Sequence, residues 1–193
     1  MCGRYYIDLD AIKDAEDLCE RRNNRIPDWR ARDIHPSDLA PVLVFAESGT
    51  IELRPQKWGL PGFDGHSLIF NARVETVLEK RMFSDAIKNT RAVIPAASFY
   101  EWDGKKQKWA FSREDTKPLY LGGFWKREQD EDRFVILTTA PNEGMKSVHD
   151  RMPFILERGE IRDWLCTDVF KDMLSKKCVE LQKKTDYEQM SLF

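Results

Sequence analysis

A cysteine at the second position of a chain permits chemistry that no internal cysteine can perform. Once Met1 is removed, Cys2 carries a free α-amine and a thiol on adjacent carbons. The amine can condense with an aldehyde to an imine, and the thiol can then close a five-membered thiazolidine ring. A free α-amine titrates near pH 8, so roughly a tenth of it is neutral at pH 7 before any tuning. Taken alone, the same residue is more simply explained as a small side chain at the start of a strand.

Three further stretches hold groups suited to polar chemistry. Asn71-Ala72-Arg73-Val74-Glu75-Thr76 offers an amide with donors and acceptors and a guanidinium that can clamp phosphate bidentately. Its plain alternative is a helix N-terminus with Glu75 complementing the dipole. Phe99-Tyr100-Glu101-Trp102 places a carboxylate inside an aromatic run. If its neighbours point inward, Glu101 either emerges on the solvated face by strand alternation or is partly buried. A buried carboxyl has a raised pKa and can shuttle protons. Val148-His149-Asp150-Arg151-Met152-Pro153 supplies an imidazole, the usual proton carrier near neutrality, in a loop pinned by proline. Each stretch alone admits a purely structural explanation.

Other chemistries find little support. Cys2, Cys19, Cys166 and Cys178 include no C-x-x-C pair, and His35, His66 and His149 stand far apart, none at ligand spacing from a cysteine. The sequence therefore points to no structural metal and no cofactor. The net charge is -2, so any DNA contact has to come from a local basic surface rather than a global positive field. No basic-then-apolar segment opens the chain, and its longest apolar run, Pro41 to Ala46, is too short to span a bilayer. The expected setting is a reduced cytoplasm with free thiols and no membrane partner.

The elements that have to position these groups follow from periodicity. Residues 2–7 read as a short strand and 9–22 as an amphipathic helix, with Leu9, Ile12, Ala15, Leu18 and Cys19 at helical spacing. Residues 23–39 read as a polar surface loop, 41–46 and 50–58 as a hairpin across Ser48-Gly49, and 59–67 as a loop. A helix is expected near 75–89, with Val77, Leu78, Met82, Phe83 and Ile87 on its inner face. Strands follow at 91–94, 97–102, 107–112, 118–125 and 133–139, with Asp103-Gly104 as a tight turn, and then helices at 158–166 and 168–176. With 193 residues, 41% of them hydrophobic, the chain suits one compact domain over 1–183 and a short polar tail over 184–193. The expected class is α+β, a mainly antiparallel sheet forming a barrel-like core with flanking helices.

Taken jointly, the motifs resemble the SOS-response-associated peptidase family, the abasic-site shielding proteins. The residues that carry the resemblance are Met1-Cys2-Gly3-Arg4, Trp58-Gly59, Asn71 to Thr76, Arg81-Met82-Phe83, Phe99 to Trp102, Thr138, and His149 to Pro153. They occur in the family's order over residues 1 to about 156.

The resemblance implies that the chain removes its own Met1 and that Cys2 then forms a thiazolidine with the aldehyde of a ring-opened abasic site in single-stranded DNA. It implies that Asn71 orients the terminus and the opened sugar. Glu101 would be the acid/base in methionine removal, ring opening and crosslink reversal, and His149 would assist proton transfer to the departing sugar oxygen. Arg4, Arg73 and Arg81 would hold phosphates, with Thr138 lining the cleft. The implied partner is single-stranded DNA containing abasic sites, bound by a monomer that is nucleoid-associated when on DNA.

Two departures stand out. Asp33-Ile34-His35-Pro36 replaces the family's Asn-x-Ala-Pro, setting an aspartate near an expected phosphate. Phe63 stands where relatives often place tryptophans, which weakens the expected base-stacking wedge. Two other readings remain open at this point. One is a cysteine hydrolase acting in trans through Cys2, His149 and Asn71. The other is a non-catalytic reader of modified or single-stranded DNA.

Overall fold

A computed structural model of the chain describes residues 2–20, 29–176 and 179–185. In chain order these form β1 (Tyr5–Ile7), α1 (Leu9–Asp17), β2 (Arg32–Ile34), β3 (Leu39–Phe45), β4 (Ile51–Trp58), β5 (Leu60–Pro61), β6 (Leu68–Ile69) and β7 (Asn71–Arg73). There follow α2 (Ser84–Asn89), β8 (Arg91–Ala96), β9 (Ser98–Trp102), β10 (Lys108–Ser112), β11 (Leu119–Glu128) and β12 (Glu131–Thr139). The described residues end with α3 (Glu143–Lys146), β13 (Met152–Pro153), β14 (Ile155–Leu156), a 3-10 turn (Arg158–Glu160), α4 (Ile161–Cys166), α5 (Phe170–Met173) and β15 (Gln182–Thr185).

The expected α+β class with a barrel core is what the strands build. Neighbours run β12-β4-β3-β8-β11, and β11 pairs back with β12, closing a barrel. All of these pairings are antiparallel except β4 with β12. A second sheet, in the order β15-β10-β9-β1-β2, carries the N-terminus. Successive residues of the barrel strands feed two apolar clusters. Val42, Val44, Phe134 and Ile136 join the inner residues of the second sheet, among them Tyr5 and Phe99. Leu43, Val135 and Leu137 pack under α2, α4 and α5 with Ile87, Trp164 and Phe170. This explains why β3 reads as a continuous apolar run, since strands buried on both faces lose the polar alternation.

Several expectations are corrected. The loop expected over 23–39 contains β2, which pairs with β1 through Tyr6 opposite Asp33, and β3 already begins at Leu39. Residues 21–28 lie outside the described residues. The loop expected over 59–67 opens with β5, which pairs with β6. The helix expected near 75–89 is confined to Ser84–Asn89. Residues 74–83 form linked turns instead, with Thr76 N–H on the Arg73 carbonyl and Phe83 N–H on the Lys80 carbonyl. Val77, Phe83 and Ile87 are nonetheless buried as expected. Helix α1 ends at Asp17 rather than at 22. The first closing helix keeps the expected 158–166, its opening turn 3-10, while the second narrows to α5. Polar β15 pairs along β10 and reaches Thr185.

Candidate active site

The site is assembled by two short strands laid against longer ones. Antiparallel pairing sets Tyr5 opposite Phe99 and Tyr6 opposite Ser98, and the Tyr100 N–H donates to the Arg4 carbonyl at 3.0 Å. One step further along this register Glu101 comes level with Gly3, the residue after Cys2. Alternation turns Phe99 and Glu101 inward and leaves Trp102 40% exposed. Glu101 is buried, 4% exposed, and burial raises its carboxyl above the usual range, with nearby positive charge, including that of His149, pulling it partly back.

Cys2 is fully buried, with Sγ 3.9 Å from the Arg4 carbonyl oxygen. Burial first, then the charge of Glu101, pushes its thiol well above the ordinary range. The opposite wall comes from β7, which runs parallel to β12 with Asn71 beside Ile136 and Arg73 beside Thr138. Asn71 therefore sits on a strand, not in the loop-to-helix junction expected from the sequence. Its Nδ2 donates to the Cys2 carbonyl at 2.8 Å. Its Oδ1 is buried and has no hydrogen-bond partner among the described residues.

His149 arrives from the segment after α3. Asn142 caps that helix by accepting from the Met145 N–H at 3.0 Å, and the His149 N–H returns to the Met145 carbonyl at 3.0 Å. Two groups meet at its Nδ1. The Arg151 N–H donates to it at 3.0 Å, and Asp150 Oδ1 lies 2.9 Å away. Neutral imidazole accepts from the amide and so carries its hydrogen on Nε2; imidazolium donates to the carboxylate instead. The Arg151 guanidinium forks onto Glu75 at 2.7 and 2.8 Å and also donates to the Thr138 carbonyl at 2.7 Å. This pair holds the Glu75 carboxyl below its usual range. It also ties the turn after β7 to the His149 segment. Glu75 thus serves a cross-strand clamp, not a helix dipole.

The structure brings Cys2, Asn71, Glu101 and His149 together. It separates the DNA-facing candidates. Arg73 and Arg81 are exposed, while Arg4 is half-buried, ion-paired to Asp33 and stacked over the Tyr100 ring at 5.1 Å. Thr138 is 1% exposed, its hydroxyl 3.4 Å from the Ala72 carbonyl, so it fastens β7 to β12 from inside rather than presenting a surface. Sequence reading missed Tyr5, wholly buried, whose phenol is raised well above its usual range by burial and then by the charge of Cys2. It also missed the Arg151 clamp. The only sequence signal for either was adjacency, three residues after Cys2 and two after His149.

The fold and this cluster define a class: a small α+β barrel with a thiol, an amide, a carboxyl and an imidazole gathered at its own N-terminus. The chain belongs to the SOS response associated peptidase (SRAP) family, whose model matches residues 1–192. It is similar to the abasic site processing protein YedK of Escherichia coli, 29% identical over 181 residues that span 88% of this chain and 81% of the relative. It is likewise similar to the abasic site processing protein YoaM of Bacillus subtilis, 33% identical over 184 residues spanning 86% and 79%. A solved structure of a protein from Bacteroides thetaiotaomicron shares the fold with a TM-score of 0.79 at 21% identity, covering 95% of this chain and 91% of that one. Among the described residues, no helix is long and apolar enough to cross a membrane.

Proposed function

We propose that this chain processes abasic sites in single-stranded DNA by forming a thiazolidine between Cys2 and the ring-opened sugar after Met1 has been removed. The observation that carries the reading is the Asn71 amide holding the Cys2 carbonyl at 2.8 Å while buried Glu101 flanks the thiol. A clasp on the main chain of the second residue fixes the terminus itself, which a mechanism using only a thiol does not require.

In the 193-residue chain the Cys2 nitrogen is an amide. Hydrolysis of the Met1–Cys2 bond consumes one water and turns that nitrogen into an amine. Glu101, ionised, accepts a proton from the attacking water; protonated, it returns one to the leaving nitrogen. The opened abasic sugar presents an aldehyde. The amine adds to it and loses water, giving an imine, and the thiol adds across the C=N bond with its proton passing to nitrogen. His149, as imidazolium with its Nδ1 hydrogen on Asp150, gives its Nε2 proton to the sugar ring oxygen on opening and is left neutral. Asn71 Oδ1, without a hydrogen-bond partner among the described residues, is an acceptor for a sugar hydroxyl.

A thiol raised above its usual range is a poor ready-made thiolate. That weighs against a cysteine hydrolase acting in trans and suits a sequence in which the amine reacts first. Incubation with abasic single-stranded DNA, followed by a denaturing gel, is the test. A heat-stable shifted band that Cys2→Ala abolishes is expected. Turnover of peptides without a band supports the hydrolase, and native binding without a band supports a non-catalytic reader.

A further inference from the structure

We propose that Asp33 is a specificity-determining residue of this site: its carboxylate holds the Arg4 guanidinium where a DNA phosphate would bind, so that undamaged single strands are held weakly. The inference rests on the reading of the site as one for single-stranded DNA, and it concerns a residue at which this chain departs from the pattern its motifs otherwise follow.

The placement follows from the small sheet. Register sets Asp33 opposite Tyr6, and Arg4 lies two residues before Tyr6, so both side chains emerge on the same outward face. Arg4 Nη2 is ion-paired to Asp33 Oδ2, and each side chain is 29% exposed. The guanidinium carbon stacks 5.1 Å over the Tyr100 ring, so one of its faces is covered as well. Burial and then the Asp33 charge raise the Tyr100 phenol, consistent with a carboxylate held against that ring. The Arg4 backbone cannot swing away, because its carbonyl accepts the Tyr100 N–H at 3.0 Å within the β1–β9 ladder. An Arg fork is the side chain best matched to phosphate, and here it is already occupied two residues from Cys2.

Two details set the cost of displacing the pair. Asp33 Oδ1 is buried with no hydrogen-bond partner among the described residues, so the carboxylate is incompletely satisfied. The neighbouring cation Arg32 is committed elsewhere, donating to the Leu39 carbonyl at 2.6 Å and lying 3.8 Å from Asp38. A phosphate that takes Arg4 therefore has to break the ion pair and leave Asp33 without its cation. Every strand meets that penalty, but only a strand able to bond covalently to Cys2 is retained in spite of it.

A double-mutant cycle tests this, with a fluorescein-labelled undamaged oligothymidine titrated at one low salt concentration into wild type, Asp33→Asn, Arg4→Ala and the double variant. A partly exposed ion pair is worth up to about fivefold in an equilibrium constant, so Asp33→Asn is expected to bind up to about fivefold more tightly. In the Arg4→Ala background the same substitution is expected to lose most of that gain. An equal gain in both backgrounds would show plain charge repulsion and overturn the proposal, as would no gain with Arg4 present. Asp33→Ser gives a second way to empty the carboxylate, and thermal melts show that each variant is folded. If wild type neither binds the oligothymidine nor forms a crosslink with an abasic strand, the DNA reading falls and this proposal with it. Binding without an Asp33 effect removes the proposal alone.

Discussion

Among the described residues two charged side chains are buried, and they are treated in opposite ways. Arg91, at the start of β8, is 8% exposed. Its guanidinium donates to the Ile87 and Lys88 carbonyls at 3.2 and 2.5 Å, to those of Leu165 and Thr167 at 3.3 and 3.1 Å, and to that of Trp164, while stacking 4.1 Å over Phe170. These carbonyls end α2 and α4, so the charge satisfies two helix C-termini and binds them to the barrel. Glu101 is 4% exposed and stands beside a thiol and an imidazole, with its carboxyl raised by burial. A buried charge surrounded by carbonyl dipoles serves the fold. In the proposed function, the other, a buried carboxyl kept off its ordinary pKa beside a thiol, is the proton carrier.

The contrast can be broken or sharpened by experiment. The largest effect is expected from Glu101→Gln, which keeps the size and removes the proton carrier. Crosslink reversal, followed as loss of the shifted band, should slow by about 10²–10⁴-fold with the fold intact. Unchanged reversal would remove Glu101 from proton transfer. Arg91→Met should do the reverse. It leaves several helix-end carbonyls unpaired and should cost about 2–4 kcal/mol, a fall in Tm on the order of 10 °C, while crosslinking per folded molecule stays near wild type. A melt equal to wild type would deny it the structural role.

A smaller effect concerns pH. Because the folded Glu101 pKa is raised, the stability it contributes is full below the ordinary carboxylate value of 4.5 and is lost as pH rises through the folded value. Glu101→Gln should therefore melt like wild type in acid and increasingly above it as pH rises toward neutrality. A gain independent of pH would place the cause elsewhere. Smallest is Arg151→Lys, which keeps the charge but loses the fork onto Glu75 and Thr138. It should slow crosslink formation a few-fold and cost about 1 kcal/mol, read from gel time courses and melts.

What the sequence disclosed depended on how local its signals were. The β3–β4 hairpin was legible because Ser48-Gly49 is a turn signal and Gly49 does adopt a left-handed φ of 78°. Strand β7 was not, because three residues pairing in parallel with β12 carry no alternation of their own. Apolar spacing over 75–83 suggested helix, but Val74 N–H is drawn to the Thr138 carbonyl and Arg151 grips Glu75, so tertiary bonds hold that stretch in turns. Polar β15 lacked the apolar rhythm by which strands are found and exists because β10 offers it an edge. At the site, Cys2, Asn71, Glu101 and His149 each admitted a structural explanation alone, and it was the joint resemblance of their motifs to a family that singled them out. The Asn71 clasp, the Asp33–Arg4 pair and the inward Thr138 are long-range contacts that spacing cannot encode.

The central claim is that Cys2 acts as an N-terminal aminothiol, and an extra residue placed before it tests this most directly. The extension keeps the thiol but leaves the Cys2 nitrogen an amide. After confirmation by mass spectrometry that the added residue is retained, the protein should give no borohydride-trapped imine and no heat-stable crosslink with abasic single-stranded DNA. A heat-stable crosslink from the extended protein would show an internal thiol to be sufficient and would contradict the thiazolidine account.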